Sequence, residues 1–337
     1  MLDMIIIGGG PAGVLAAFHA RRYGINHIVF EKGKIGQSWR NMYQGMKLLS
    51  PGHWKKDWTS FTSQFPIYAM PNSGPFPTGE EFVRYMEAFV DKYALKVLER
   101  SEVLDITKRE NGFRVYLDDF YMDSRFLVIS TGVFNNPYIP DIPGADYNPF
   151  VVHSAKVVSA EPYAGKRVAI IGAGNSGIEL ALALSAKADV SVFSRHDVKY
   201  FSQTGNITDV RGVSESLFKE MLNFKIVNCY EHIEIKGFND GTIYFENMDS
   251  MSFDSIILAT GYRPVLLPVM GAFHETRDMG FPLGDRFGES VSIPGLYYAG
   301  GIVGPERQNA FIHCFRRKIP RMMFKIRSQL NLQMTKQ

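Results

Sequence analysis

Met4-Ile5-Ile6-Ile7-Gly8-Gly9-Gly10-Pro11-Ala12-Gly13 decides the fold of this chain. Four consecutive apolar residues predict a strand buried on both faces, as at the centre of a parallel sheet. Gly8, Gly10 and Gly13 then satisfy the GxGxxG spacing. A helix is expected from Pro11 to Tyr23, with Val14, Leu15, Ala17 and Phe18 on its apolar side. Gly24 is placed to end it in a left-handed cap. A second strand, His27-Ile28-Val29-Phe30, ends in Glu31. The three glycines do different things. The first permits the tight turn, the second lets backbone approach a pyrophosphate, and the third lets helix and sheet pack closely. Glu31 can accept hydrogen bonds from ribose hydroxyls. Strand, glycines, helix, strand and acid in this order predict a dinucleotide cradle.

The device is repeated. Arg167-Val168-Ala169-Ile170-Ile171 leads into Gly172-Ala173-Gly174-Asn175-Ser176-Gly177, and a helix continues through Ile178-Glu179-Leu180-Ala181-Leu182. The second strand of this copy, Val190-Ser191-Val192-Phe193, ends in Ser194-Arg195-His196 and carries no acid. A carboxylate there would repel a 2′-phosphate, whereas Ser194 can donate a hydrogen bond and Arg195 a charged fork. The alternative for Arg195 is a solvated surface charge. The Glu-terminated copy at the start of the chain suits FAD, and the Arg-terminated copy mid-chain suits a dissociating NADPH.

Two apolar strands with small-residue turns mark chain crossings: Phe126-Leu127-Val128-Ile129-Ser130-Thr131-Gly132 and Ser255-Ile256-Ile257-Leu258-Ala259-Thr260-Gly261. The reading is α/β: two Rossmann-like domains, with an FAD domain over 1–135 and 262–337 and an NADPH domain over 136–261 inserted into it. The Pro-rich stretch Pro137-Tyr138-Ile139-Pro140-Asp141-Ile142-Pro143-Gly144 suits a linker. A length of 337 residues allows two cores, and 45% hydrophobic with 21% charged residues is ordinary globular composition. A net charge of +3 is too small to argue for nucleic acid. Cys229 and Cys314 form no CxxC, which argues against a disulfide framework or zinc site and for a reducing cytoplasm. No apolar run approaches a membrane span. A homodimer is left open.

The residues resemble the two-dinucleotide-binding flavoproteins, and within them the bacterial flavin-containing monooxygenases. GGGPAG at Gly8, Ile35-Gly36-Gln37-Ser38-Trp39, GAGNSG at Gly172 and ATGYRP at Ala259 carry the resemblance over nearly the whole chain. So does the approach to the second fingerprint, His153-Ser154 followed by Gly165-Lys166-Arg167-Val168. The resemblance implies reduced FAD activating dioxygen, with NADPH as electron donor and a small-molecule substrate. The family signature FxGxxxHxxxF is represented around His153 only by that histidine and Tyr147, since Pro149 and Val157 stand at other signature positions. In related reductases an acid after the glycine of Leu296-Tyr297-Tyr298-Ala299-Gly300-Gly301 binds the ribityl chain. Here Gly301 and Ile302 replace it, so backbone amides are expected to serve.

The expected FAD contacts are Gly8, Gly10, Pro11, Ala12, Gly13, Glu31, Lys32, Gln37, Ser38, Trp39, Val103, Thr131, Gly132 and Gly301. Those for NADPH are Gly172, Gly174, Asn175, Ser176, Gly177, Ser194, Arg195, Thr260 and Gly261. Residues 37–78 interrupt the first domain and hold Trp39, Tyr43, Trp54, Trp58, Phe61, Phe65 and Tyr68, either a flavin-side pocket or a satellite core. Trp39, Ser50 and His53 are the catalytic candidates, although a structural role is favoured for His53 as for His153. Thr78 opens a helix with capping-box spacing to Glu81. A last helix is expected around Asn309 to Phe315, with Pro320 breaking the basic segment beyond it and leaving a packed tail. The leading function is an NADPH-dependent FAD monooxygenase acting on a soft nucleophile or ketone. The alternative is a flavoprotein reductase of a disulfide, quinone or protein partner that works without a CxxC.

Overall fold

The computed structural model describes residues 1–206, 208–304 and 311–334. The chain divides into two compact units: Met1–Arg40, Gly45–Asn136 and Arg263–Gln337 form the first, and Asn41–Gln44 with Pro137–Tyr262 the second. The main divisions fall one residue beyond those expected at 135/136 and 261/262. Segment 41–44, which the sequence placed with the first domain, belongs to the second.

Unit 1 is built on β1 (Leu2–Ile7), β2 (His27–Phe30), β3 (Val97–Leu98), β4 (Asp105–Arg109), β5 (Gly112–Tyr116) and β6 (Tyr121–Ile129). Their order is β3-β2-β1-β6-β5-β4, and Leu296–Tyr298 pairs with β6 as a seventh strand. β1 is parallel to β2 and β6, while β4 and β5 return antiparallel. Met4, Ile5 and Ile6 are wholly buried, as the unbroken apolar run requires for a strand covered on both faces. Helix α1 (Pro11–Arg22) follows β1, and α2 (Gly79–Lys92) follows the long interruption. The capping box of α2 is complete: the Glu81 amide donates to Thr78 Oγ1 at 3.2 Å, and the Thr78 amide to Glu81 Oε2 at 2.7 Å. Phe82, Tyr85, Met86 and Phe89 form its buried stripe, each contributing roughly 2 kcal/mol by leaving water.

Pro320 does not end the C-terminal helix, which runs from Ile312 to Met334. Its missing N–H and the crowding of its ring against the preceding turn disfavour continuation. The apolar stripe of Phe315, Ile319, Met322, Met323, Ile326 and Leu330 is buried in the unit 1 core on both sides of the proline. Tertiary packing of that stripe carries the helix through, as it does for most helices in folded proteins. The expected start at Asn309 lies outside the described residues.

Unit 2 holds β7 (Val151–His153), β8 (Arg167–Ile171), β9 (Asp189–Phe193), β10 (Val227–Tyr230) and β11 (Ser255–Leu258). They form an all-parallel sheet in the order β10-β9-β8-β11-β7. Helix α3 (Asn175–Leu184) follows β8 and α4 (Gly212–Asn223) precedes β10. A small antiparallel sheet of Ile235–Asn239, Thr242–Phe245 and Met251–Ser252 completes the unit.

Candidate functional site

The two fingerprints share their backbone geometry. Gly8 N donates to Phe30 O at 2.8 Å, and Gly172 N to Phe193 O at 2.8 Å. Ser130 N reaches Ile7 O at 2.8 Å, and Ala259 N reaches Ile171 O at 2.8 Å. Gly8 and Gly172 have φ of +109° and +111°, in the region that favours glycine. A Cβ on Gly13 would lie 1.9 Å from Gly8 O, and one on Gly177 would lie 1.9 Å from Gly172 O. Any side chain there would therefore push helix from strand. Gly10 and Gly174, by contrast, have open space where a Cβ would stand. Neither α1 nor α3 carries a side-chain cap, and Pro11 occupies the first turn of α1, where a missing N–H costs nothing. Uncapped helix amides beside bare glycine backbone fit a pyrophosphate in each unit.

Glu31 is buried at the end of β2. Its Oε2 accepts from Gly9 N at 2.6 Å and its Oε1 from Gly33 N at 2.8 Å. The carboxylate thus shapes the glycine turn and keeps lone pairs for a ribose diol. Ser130, not singled out from the sequence, donates its hydroxyl to the same turn, 2.9 Å from Ile7 O and 3.0 Å from Gly8 O. Ala12 is buried beside Gly300, where an added Cβ would come within 2.6 Å of it. Gly301 faces open space. Lys32 is exposed, whereas the Val103 side chain is buried in the core with Ile5, Ile7 and Phe30, which leaves only its backbone for a ligand. Gln37 and Ser38 begin a four-residue helix, Gln37–Arg40, and Gln37 Oε1 accepts from Lys34 N at 3.0 Å.

The crossings at the ends of β6 and β11 are matched as well. Thr131 Oγ1 donates to Val265 O at 2.6 Å in unit 1, and Thr260 Oγ1 to Tyr138 O at 2.5 Å in unit 2. Gly132 and Gly261 have φ of +70° and +86°. His153 supports the second crossing. Its Nδ1 accepts from Ala155 N, so its Nε2 carries the proton and donates to Gly261 O at 3.1 Å. Burial lowers its pKa, which keeps the ring neutral in that role.

The strand end that distinguishes the copies is asymmetric. The single proton of Ser194 Oγ goes to His196 O at 2.6 Å, closing a local turn. That bond removes the donor which the sequence assigned to a phosphate. Arg195 is exposed and has no hydrogen bond or ion pair among the described residues. Asn175 donates to Thr208 O at 2.9 Å and Asp209 O at 3.1 Å, tying that loop to the fingerprint, while Ser176 is exposed.

Glu179 is the residue that sequence reasoning passed over. It lies four residues beyond Asn175, on the same face of α3. The Tyr43 hydroxyl donates to its Oε2 at 3.0 Å, and its Oε1 has no hydrogen-bond partner among the described residues. Desolvation raises its pKa to about 7, against the lowering effects of the Tyr43 hydrogen bond and the Arg211 charge. Burial and the Glu179 charge push the Tyr43 phenol up as well. The available signal was a lone carboxylate inside the apolar run Ile178–Leu182.

The catalytic candidates do not converge on a site. Trp39 packs edge-on against Phe82, with ring centroids 4.8 Å apart. Ser50 is buried, and its carbonyl accepts from Thr59 Oγ1 at 2.8 Å. His53 Nδ1 accepts from Lys55 N at 3.3 Å in a two-residue hairpin. Phe61 and Phe65 join Tyr85 and Phe89 in the core, while Trp54 is 68% exposed. Trp39, Phe61 and Phe65 thus join the main core of unit 1 against the α2 stripe, whereas Trp54 and Tyr68 are exposed, Trp58 lies against His313 and Tyr43 bonds Glu179.

Among known proteins, the chain is 28% identical over 203 residues to an uncharacterized oxidoreductase, CzcO-like, of Geobacillus kaustophilus, a match covering 60% of this chain and 56% of that one. It is 26% identical to senecionine N-oxygenase of Tyria jacobaeae, across 88% of this chain and 66% of that protein. The structure of bacillithiol disulfide reductase from Staphylococcus aureus superposes with a TM-score of 0.85 at 26% identity, covering 97% of this chain and 98% of that one. The chain therefore matches just over half the length of the first of these relatives and nearly all of the last. No helix among the described residues is long and apolar enough to cross a membrane. A family model matches residues 5–300, and the chain belongs to that family, the pyridine nucleotide-disulphide oxidoreductases, as a flavin-dependent oxidoreductase with two parallel-sheet dinucleotide-binding domains.

Proposed function

We propose that the chain is an NADPH-dependent FAD monooxygenase that oxygenates a small soft nucleophile or ketone. The observation that carries this reading is two complete dinucleotide cradles without a dithiol to relay electrons. Cys229 lies in unit 2, with burial pushing its thiol up to about 12, and Cys314 lies in unit 1 with its thiol also raised. Neither forms the reactive thiolate that disulfide exchange needs. Electrons delivered to the flavin therefore leave it for a small acceptor directly. The likeness to senecionine N-oxygenase over most of the chain favours dioxygen as that acceptor.

Bound FAD supplies the redox and oxygen chemistry. The protein's own part is to hold it: Glu31 orients the ribose, the α1 amides meet the pyrophosphate, and Thr131, Gly132 and Gly301 line its path. In unit 2 the α3 amides take the second pyrophosphate and Arg195 grips the 2′-phosphate. For an amine the overall change is amine, dioxygen, NADPH and a proton giving N-oxide, water and NADP⁺.

The near full-length likeness to bacillithiol disulfide reductase favours a second reading, reduction of a low-molecular-weight disulfide. One experiment separates the two. The FAD-loaded protein is reduced with NADPH under nitrogen and divided between oxygenated buffer containing a tertiary amine or sulfide and anaerobic buffer containing a small disulfide. Stoichiometric N- or S-oxide supports the monooxygenase. Release of all the electrons as peroxide, with rapid flavin reoxidation by the disulfide, replaces it with the reductase.

A further inference from the structure

Trp54 is 68% exposed, although an indole is highly buried in most folds. The cause is local. Gly52–His53 and Lys56–Asp57 pair antiparallel, with Gly52 opposite Asp57 and His53 opposite Lys56, which leaves Trp54 and Lys55 as the turn. Trp58 N donates to Pro51 O at 2.8 Å and continues the ladder. The base of the hairpin is fixed to unit 1: Gly52 N donates to Pro75 O at 2.9 Å, and a Cβ on Gly52 would lie 2.6 Å from Ile67 Cγ2. Tyr68 and Phe76, the next residues along from those anchors, are exposed, as is Trp58. Four exposed aromatic side chains thus belong to one corner of unit 1.

The corner is cationic. Residues 45–79 hold Lys47, Lys55 and Lys56 against a single carboxylate, Asp57. All three lysines are exposed, and none has an ion pair or a side-chain hydrogen bond among the described residues. Asp57, by contrast, is engaged. Its Oδ1 accepts from Thr59 N at 3.1 Å and Ser60 N at 3.0 Å, and its Oδ2 from Arg316 Nη2 at 3.2 Å. Lys55 Nζ lies 5.0 Å from the Trp54 ring centroid, and Lys56 Nζ 4.7 Å from that of Trp58. Each ammonium therefore rides beside an indole, with no carboxylate to neutralise it. Lysine is depleted at the centre of protein–protein interfaces. Indole beside lysine is instead the composition of an anchor at the water–lipid boundary, where the ring sits at headgroup level and the charge meets an anionic leaflet.

We propose that this hairpin corner is a peripheral membrane anchor that seats unit 1 on an anionic lipid surface. A few rings and three charges give reversible attachment, far short of a spanning segment. The assignment stands whether the flavin's electrons go to dioxygen or to a disulfide.

The test is sedimentation of FAD-loaded protein with vesicles of phosphatidylcholine alone, or of phosphatidylcholine mixed equally with phosphatidylglycerol. Binding to the mixed vesicles is expected, with a blue shift of tryptophan emission, and little binding to phosphatidylcholine. At about fivefold per lysine, the double variant Lys55→Glu, Lys56→Glu should bind the mixed vesicles at least about twentyfold more weakly. Trp54→Ala should weaken binding about tenfold and remove most of the blue shift. These side chains are exposed, and retained flavin absorbance with an unchanged melting temperature reports an intact fold. Phe224→Ala removes an equally exposed ring from unit 2 and should bind as wild type. No binding to the mixed vesicles, equal binding to both kinds, or the same loss in Phe224→Ala as in Trp54→Ala overturns the proposal. Concentration-dependent self-association that Trp54→Ala abolishes would assign the corner to a second copy of the chain, and overturns it too.

Discussion

Glu179→Gln should stabilise unit 2 in alkaline buffer and leave it nearly unchanged in acid. The side chain is half-buried on α3 with its Oε1 out of reach of solvent, and its pKa is raised from 4.5 to about 7 chiefly by desolvation. Between those values the folded protein holds a proton that the unfolded chain has released. The stability associated with the neutral carboxyl is complete below about pH 4.5 and is lost as pH rises through 7. At about 1.4 kcal/mol per unit, the full loss is roughly 3 kcal/mol above pH 8. Glutamine keeps an acceptor for the Tyr43 hydroxyl, 3.0 Å from Glu179 Oε2 in the wild type, and has no proton to lose. The tryptophans all lie in unit 1, so whole-protein fluorescence would miss the effect. Hydrogen exchange over residues 167–193, corrected for intrinsic rate at each pH, reads unit 2 directly. At pH 8.5 the variant should exchange up to about a hundredfold more slowly than wild type, with the two converging near pH 5. The same offset at both pH values, or faster exchange of the variant at pH 8.5, would refute a half-buried carboxyl that titrates near neutrality.

Arg195→Ala should weaken NADPH by about 2 kcal/mol, the scale of a charge-assisted hydrogen bond, while leaving NADH almost unaffected; equal losses in measured affinity would rule out the 2′-phosphate contact. Gly177→Ala places a Cβ 1.9 Å from Gly172 O, so flavin reduction by NADPH should fall roughly a hundredfold while FAD content persists. Loss of FAD in that variant would show that the two cradles do not fold independently. Thr78→Ala breaks the capping box of α2 and should cost about 1 kcal/mol, read as a lower melting temperature that Thr78→Ser restores. An unchanged melting temperature would show that the cap is not what holds the helix start.

Most of the backbone plan was legible because it rests on short-range rules. An apolar run followed by GxGxxG admits few other conformations, and Gly24 with a φ of +63° ends α1 where the C-cap rule places it. Pro320 was misjudged for the complementary reason. Local propensity speaks against a helix there, and the deciding term is burial of Ile319, Met323 and Ile326 against distant parts of unit 1. The aromatic interruption had the same difficulty. Residue types alone do not say whether Phe61 faces a ligand or Phe89, and only the packed rings, 5.0 Å apart and perpendicular, decide it.

The chemistry was legible to the extent that it is carried by backbone. Both pyrophosphate cradles are built from amides and missing side chains, and such sites are written in glycine spacing. What separates the two copies at the strand end is Glu31 in one against Ser194 in the other, with Lys32 and Arg195 at the next position, and Glu31 and Arg195 behave differently in the fold. Glu31 is buried, with each oxygen bonded to a turn amide, 2.6 Å from Gly9 N and 2.8 Å from Gly33 N, so its position is set before any ligand arrives. Arg195 is exposed and without a partner among the described residues. A group held in place loses little side-chain entropy on binding, while a free arginine loses up to roughly 2 kcal/mol. On the proposed assignment of the cofactors, the same contrast predicts a difference in their residence. The cradle of unit 1 is then expected to retain its dinucleotide, and that of unit 2 to exchange it, which dissociation rates measured for each cofactor would check.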